Sequence, residues 1–139
     1  MDRVFLDANV LFSAAYKADS RLKQLWDLPD VQLVSSEYAA EEARRNLELA
    51  GTDNINGFQS LLDKMTILPD APTRLRLQVE LADKDKPILI AAVRAHATHL
   101  LTGDVTHFGH LFGKKVHGVL ILTPARYFRH REARREFEV

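Results

Sequence analysis

The sequence predicts an α/β protein in which a parallel sheet of five strands is covered by helices on both faces. Two observations carry this. Short β-branched or apolar runs alternate with helical stretches along the chain, and strands separated by helices need crossover connections, the mark of parallel sheets buried on both sides. No repeat, low-complexity tract or Pro/Gly-rich linker breaks the alternation, and at 139 residues the length suits a single domain over residues 1–139, able to bury roughly two-thirds of its unfolded surface in one core.

Five runs suit strands: RVFL at 3–6, VQLVS at 31–35, TIL at 66–68, HLLT at 99–102 and VLIL at 119–122. Asp19 or Ser20 can cap RLKQLWDL, which Pro29 ends, and Ser36 can cap EYAAEEARRNLELA, which Gly51 closes. GFQSLLDKM and TRLRLQVELA read as shorter helices. PILIAAVRAHA starts at Pro87, in a first turn where proline is tolerated. The arginine-rich tail RYFRHREARREF, with Arg126, Arg129, Arg131, Arg134 and Arg135, reads as a solvated helix face or as a local basic patch for a polyanion.

Composition narrows the class. The chain is 46% hydrophobic and 27% charged, ordinary for a soluble globular protein. It has no cysteine, which removes disulfides and thiolate zinc sites and suits a reducing compartment, the cytoplasm by default. No run approaches the roughly 20 apolar residues of a membrane span, and Asp7 and Asn9 would fall inside the apolar region of any signal peptide, so the N-terminus reads as mature sequence. Nineteen basic and nineteen acidic side chains balance, so no global field draws in a polyanion.

VFLDANVLF, residues 4–12, sets a carboxylate and an amide within a hydrophobic run. An ionised carboxylate taken out of water costs several kcal/mol unless a partner, hydrogen bonds or a metal compensates it. In parallel sheets ligands bind beyond the carboxyl ends of the strands, where successive connections leave for opposite sides. Asp7 follows the first strand, and Asp104 follows the fourth through Gly103. Helical winding of residues 36–50 puts Ala39, Ala43, Asn46, Leu47 and Ala50 on one stripe, with Glu42 at its margin and Glu41 opposite, beside Arg44 and Glu48. Glu42 then points inward, unless it is a rim acid paired with Arg45 or Asn46. Asp83 and Asp85 precede the PILIAAVRAHA helix, where an Asp can also serve simply as a cap, and Gly103-Asp104 can be turn chemistry. Together, however, acids at one sheet edge raise one another's pKa values unless a cation sits among them, and Asp and Glu without Cys select a hard ion, Mg²⁺ or Mn²⁺. Asn9, near Asp7, is placed to hydrogen-bond the carboxylate or a metal-bound water.

The motifs VFLDANVLFSA, SSEYAAEEARRNL, LADKDKPILIAA and LLTGDVTHFGHLFG, in that order and over almost the whole chain, resemble the PIN-domain family of metal-dependent ribonucleases, and GVLILTPARYF is similar to that family's usual ending. The resemblance implies a three-layer α/β/α sandwich and an acidic pocket that binds Mg²⁺ or Mn²⁺ and hydrolyses RNA phosphodiesters. It carries the family's acids onto Asp7, Glu42, Asp85 and Asp104, with Asp85 fitting the spacing better than Asp83; beside these acids Asn9 and Thr102 are assigned as orienting residues. Where many members have a further acid or amide after the last Asp, this chain has Thr106 and His107. That departure leaves a second metal site weak or filled only with substrate, and His107 free to contact substrate phosphate. Small single-domain members include the VapC-like toxins of toxin–antitoxin pairs, which implies a protein antitoxin and tRNA, rRNA or mRNA as target; dimerisation is common in the family.

Other readings fit less well. A degenerate PIN-like module would bind RNA or protein without cutting. A haloacid-dehalogenase-type phosphatase needs an Asp where Asn9 stands, and a receiver domain needs an Asp after the third strand, where Pro69 and Asp70 match poorly. His107 and His110 stand three apart, but no further ligand spacing supports zinc. Phe5, Phe12, Phe108, Phe112 and Trp26 lie in or beside apolar runs and read as core rather than as base-stacking platforms.

Overall fold

The computed structural model describes residues 1–51, 54–70 and 75–137. Six strands, β1 (Asp2–Leu6), β2 (Val31–Ser36), β3 (Thr66–Leu68), β4 (His99–Leu101), β5 (Lys115–Val116) and β6 (Val119–Leu122), form one sheet of order β3-β2-β1-β4-β6-β5. The helices are α1 (Ala8–Tyr16), α2 (Glu37–Leu49), α3 (Ile55–Asp63), α4 (Lys86–Arg94), α5 (Val105–Phe108) and α6 (Pro124–Phe137). All pairings are parallel except β5 with β6. The α/β/α class expected from the sequence is the one observed, with an antiparallel sixth strand added to the five parallel ones. That strand is two residues long and is created by a two-residue turn in which His117 (φ 48) and Gly118 (φ 83) both take the left-handed region. Such a turn matches the twist of a hairpin, and His-Gly is a weaker signal for it than Asn-Gly.

The central strand β1 is buried on both faces, with Val4, Phe5 and Leu6 fully inaccessible, which is why its apolar residues run on rather than alternate. From β1 the chain steps outward to β2 and β3, and right-handed crossovers put α1, α2 and α3 on one face. From β3 it steps back past β2 and β1 to β4, which puts α4 on the other. The direction of winding thus reverses between β1 and β4. There Asp7 N–H donates to the Leu101 carbonyl (3.0 Å) and Thr102 N–H to the Leu122 carbonyl (3.1 Å), holding the strand ends of β1, β4 and β6 in line.

The apolar run after Asp7, to which the sequence assigns no element, is α1, whose alanines Ala14 and Ala15 lie buried on the side where α2 packs with Ala39, Ala40 and Ala43; short side chains on both helices let their axes approach closely. Two stretches differ from the sequence expectation. RLKQLWDL forms a 3₁₀ helix, Arg21–Asp27, capped by Ser20. Leu75–Ala82, read as the end of a helix, is irregular, with a bend at residues 78–79; Thr73 and Arg74 lie outside the described residues. Its burial alternates, with Leu77, Val79 and Leu81 packed on the core and Arg76, Gln78 and Glu80 exposed, a period of two that overrides helix propensity.

Elsewhere α2 keeps Ala39, Ala43 and Leu47 inward, but Asn46 and Ala50 are exposed and Ala40 takes the buried place instead. Phe5 and Phe108 are fully buried, while Phe12, Trp26 and Phe112 pack partly buried against the core. In α6, Tyr127 is fully buried and donates to Asp2 Oδ2 (2.7 Å), which Arg134 also reaches at 3.0 Å and Arg131 at 3.5 Å. Part of the arginine-rich tail therefore anchors the last helix to β1 rather than facing solvent throughout; the side chains of Arg135 and Glu136 lie outside the described residues. Among the described residues no helix is long and apolar enough to cross a membrane.

Candidate metal centre

An open cleft of about 400 Å³ lies at the carboxyl edge of β1 and β4, lined by Asp7, Asn9, Ser13, Glu42, Asn46, Lys84, Asp85, Gly103 and Asp104 among others. Four separate chain segments deliver its acids. Asp7 ends β1 and caps α1, Glu42 comes from the middle of α2, Asp85 sits just before α4, and Asp104 follows β4 at the start of α5.

Asp7 is 5% exposed. Its Oδ1 accepts from Ala8 N–H (2.7 Å), and its Oδ2 from the Thr102 hydroxyl (2.8 Å) and the Asn9 amide (3.1 Å). Burial nonetheless pushes its pKa up to about 6, and the carboxylates of Glu42 and Asp85 push the same way. Thr102 is the hub of this network: fully buried, it donates to Asp7 and accepts from Asn9 Nδ2 and Asp104 N–H (both 3.1 Å). Asn9 closes the loop by accepting from Gly103 N–H at 2.7 Å. The polar residues inside VFLDANVLF thus tie the end of β1 to the end of β4.

Asp104 does behave as a cap, its Oδ1 accepting from His107 N–H (3.0 Å) while its Oδ2 meets His107 Nδ1 at 2.7 Å. Burial raises its pKa, but these two bonds and the charge of Lys84 outweigh it and hold the carboxyl below its usual range. Asp85 does not behave as a cap: it stands at the N-cap position of α4 without a side-chain bond to the helix. Its Oδ2 is buried and has no hydrogen-bond partner among the described residues; the closest cation-capable group is His107 Nδ1 at 3.5 Å. Burial raises the pKa of Asp85, and His107 and Lys84 only partly offset it.

Asp7, Glu42, Asp85, Asp104, Asn9 and Thr102 converge on the cleft or on the network beneath it. Asp83 does not, being almost fully exposed and paired with Lys86 at 2.9 Å. Glu41 faces out toward Arg44 (3.9 Å) while Glu42 is half-buried. His107 and His110 are not a pair, because His110 Nε2 contacts the Glu80 carbonyl at 2.8 Å. The sequence does not single out Lys84 or Ser13, and it offers His107 as a contact to substrate phosphate, whereas the structure makes it a neighbour of both Asp85 and Asp104. The signal for Lys84 was present in the alternating DKDK of residues 83–86, which turns one pair outward and the other toward the cleft.

One oxygen each of Asp85 and Asp104 and one ring nitrogen of His107 lie within 4.8 Å of one another. A buried carboxylate oxygen without a donor, beside two further carboxylates, is the environment a divalent ion compensates. The oxygen-rich set suits a hard ion, so the residues present fit one.

A family model described as the PIN domain matches residues 3–106, a span that takes in all four acids. The chain belongs to the PIN-domain family. Among solved structures, this PIN domain resembles a chain of VapBC2 from Rickettsia felis, a complex bound to a DNA fragment from their promoter. The TM-score is 0.57 at 17% identity, covering 87% of this chain and 98% of that one, and the likeness is one of fold. A search of curated proteins found no match.

Proposed function

We propose that this PIN domain is an endoribonuclease dependent on Mg²⁺ or Mn²⁺, the toxin of a toxin–antitoxin pair acting in the cytoplasm. The observation that carries the nuclease reading is the unpartnered, buried Asp85 Oδ2 at a cleft that also holds Asp7, Glu42 and Asp104. As a structural device this arrangement only costs stability, whereas as an ion site it is compensated. Asp7, Asp85 and Asp104 would hold the ion, with Glu42 directly or through water. Bound there, a divalent ion supplies charge neutralisation at a phosphoryl group and a water of lowered pKa.

The chain's own residues do the positioning. Thr102 and Asn9 fix Asp7 in one orientation, and Asn9 is itself fixed by Gly103 N–H. His107 fixes Asp104 through two contacts. Lys84, exposed on the lip of the cleft, offers a cation to the phosphate backbone, a local attraction that the zero net charge of the chain does not supply. The toxin assignment draws support from the fold likeness to a chain of the VapBC2 complex. By that analogy the partner is a protein antitoxin, and a second copy of the chain is a further partner.

The test is incubation of purified protein with structured and unstructured RNAs in Mg²⁺, Mn²⁺ or chelator. Cleavage is expected with either ion, none with chelator, none for Asp85→Asn, and full activity for Asp83→Asn, whose side chain lies outside the cleft. An Asp85→Asn protein as active as the parent would refute the site, and RNA binding without cleavage under all conditions would favour a non-catalytic module. For the toxin assignment, expression of the chain alone is expected to arrest growth, and unaffected growth alongside nuclease activity in vitro would remove it.

A further inference from the structure

His107 stands where the oxygen donors of the cleft leave off. Asp104 caps α5, and His107, three residues later on the same short helix, turns its ring back over the cap. Its Nδ1 lies 2.7 Å from Asp104 Oδ2 and 3.5 Å from Asp85 Oδ2. Around a small octahedral dication with bonds of about 2.1 Å, neighbouring donor atoms stand about 3 Å apart. The two separations bracket that value, so the ring nitrogen occupies the place of a third donor beside the two carboxylates. The unpartnered Asp85 Oδ2 is the independent sign that something is missing from their midst.

We infer that His107 Nδ1 is a direct ligand of the ion and that it makes this site take Mn²⁺ in preference to Mg²⁺. The inference rests on the nuclease reading above and adds to it the identity of the metal. Carboxylates and water suit Mg²⁺ and Mn²⁺ alike, but an imidazole nitrogen shifts the balance toward transition ions. Mg²⁺ demands oxygen donors and parts reluctantly with its waters. Nδ1 donates its proton to the Asp104 carboxylate in the metal-free protein, so binding the ion requires that proton to leave, with the ring neutral and protonated on Nε2; the lone pair thus freed faces the metal, with Asp104 Oδ2 as a neighbouring ligand.

The experiment uses the full chain without RNA. Mn²⁺ and Mg²⁺ are titrated calorimetrically into the parent, His107→Gln and His107→Asp, and the Mn²⁺ complexes are examined by pulsed electron paramagnetic resonance for coupling to a directly bound ¹⁴N. The parent is expected to bind Mn²⁺ more tightly than Mg²⁺ by about tenfold or more and to show the ¹⁴N coupling. His107→Gln should lose the coupling and most of the preference, and His107→Asp should retain binding with the two ions nearly equal. Mn²⁺ bound in the parent without ¹⁴N coupling would overturn the inference while leaving the nuclease reading intact, since His107 would then act only by holding Asp104. Failure of the parent to bind either ion would overturn both. The parent spectrum decides the matter even if a variant does not fold.

Discussion

Asp7→Asn is expected to stabilise the metal-free protein at neutral pH, although it removes a residue of the candidate site. The parent holds a carboxylate whose pKa burial has raised from 3.8 to about 6. Each unit of difference between folded and unfolded states is worth about 1.4 kcal/mol, so ionised Asp7 costs the native state about 3 kcal/mol above pH 7. The sign follows from proton binding. Between the two pKa values the folded state binds more protons than the unfolded one, so stability falls as pH rises through that window and is recovered as pH drops toward 4. The amide carries no charge and escapes this cost. It does lose something, because Thr102 Oγ1 already accepts two bonds and would keep no acceptor for its own proton if the Asn Nδ2 faced it; a lost hydrogen bond of this kind costs about 1 kcal/mol. The net expectation is a gain of about 1–2 kcal/mol near pH 8, falling by about 2–3 kcal/mol toward pH 4. The assay is urea unfolding of chelator-treated parent and variant across that range, repeated with Mn²⁺, which should stabilise the parent more than the variant. A metal-free variant less stable than the parent at pH 8, or a stability difference that does not change with pH, would refute the reasoning.

Two further outcomes test the surroundings of the site. Thr102→Val keeps the shape but removes the donor to Asp7 and the acceptor for Asn9 and Asp104, and should lower stability by about 2–3 kcal/mol and weaken metal binding; urea midpoints unchanged at equal slope would contradict the role given to this hydroxyl. His99, buried against Tyr127 with ring centroids 5.0 Å apart, has its pKa lowered from 6.5, chiefly by burial. Its contribution is present above pH 6.5 and lost as pH falls through the depressed folded value, the opposite of the Asp7 trend. His99→Gln should therefore gain on the parent as the solution is acidified, and thermal midpoints moving in parallel for the two proteins would count against it.

Much of the fold was legible because hydrophobic runs and caps are local signals. Val31–Ser36 followed by a Ser36 cap and a 13-residue amphipathic helix needs no tertiary information. What failed depended on context. The sequence assigns no element to Val10, Leu11 and Phe12, whose short apolar run suits a strand or a helix alike; Asp7 at the N-cap position of α1 decides for helix. Leu75–Ala82 has the composition of a helix but is irregular, its burial alternating residue by residue. Lys115–Val116 becomes a strand only because β6 lies beside it.

At the site, Asp83 and Asp85 could not be separated by capping logic, since either can precede a helix. What separates them is that Asp85 abandons the cap for the cleft while Asp83 pairs with Lys86 in solvent. The meeting of Asp85 with the end of β4 was legible, because α4 runs back to the start of the parallel strand β4; the place of His107 between Asp85 and Asp104 was not, because it depends on how the four-residue helix α5 turns after the Asp104 cap.

The most direct measurement of the central claim is anomalous diffraction from crystals of the protein soaked in MnCl₂. A manganese peak is expected within coordination distance of Asp85 Oδ2 and Asp104 Oδ2, in the cleft that Asp7 lines. A cleft without a peak at saturating Mn²⁺, or with Asp85 Oδ2 satisfied there by a side chain of the protein itself, would contradict it.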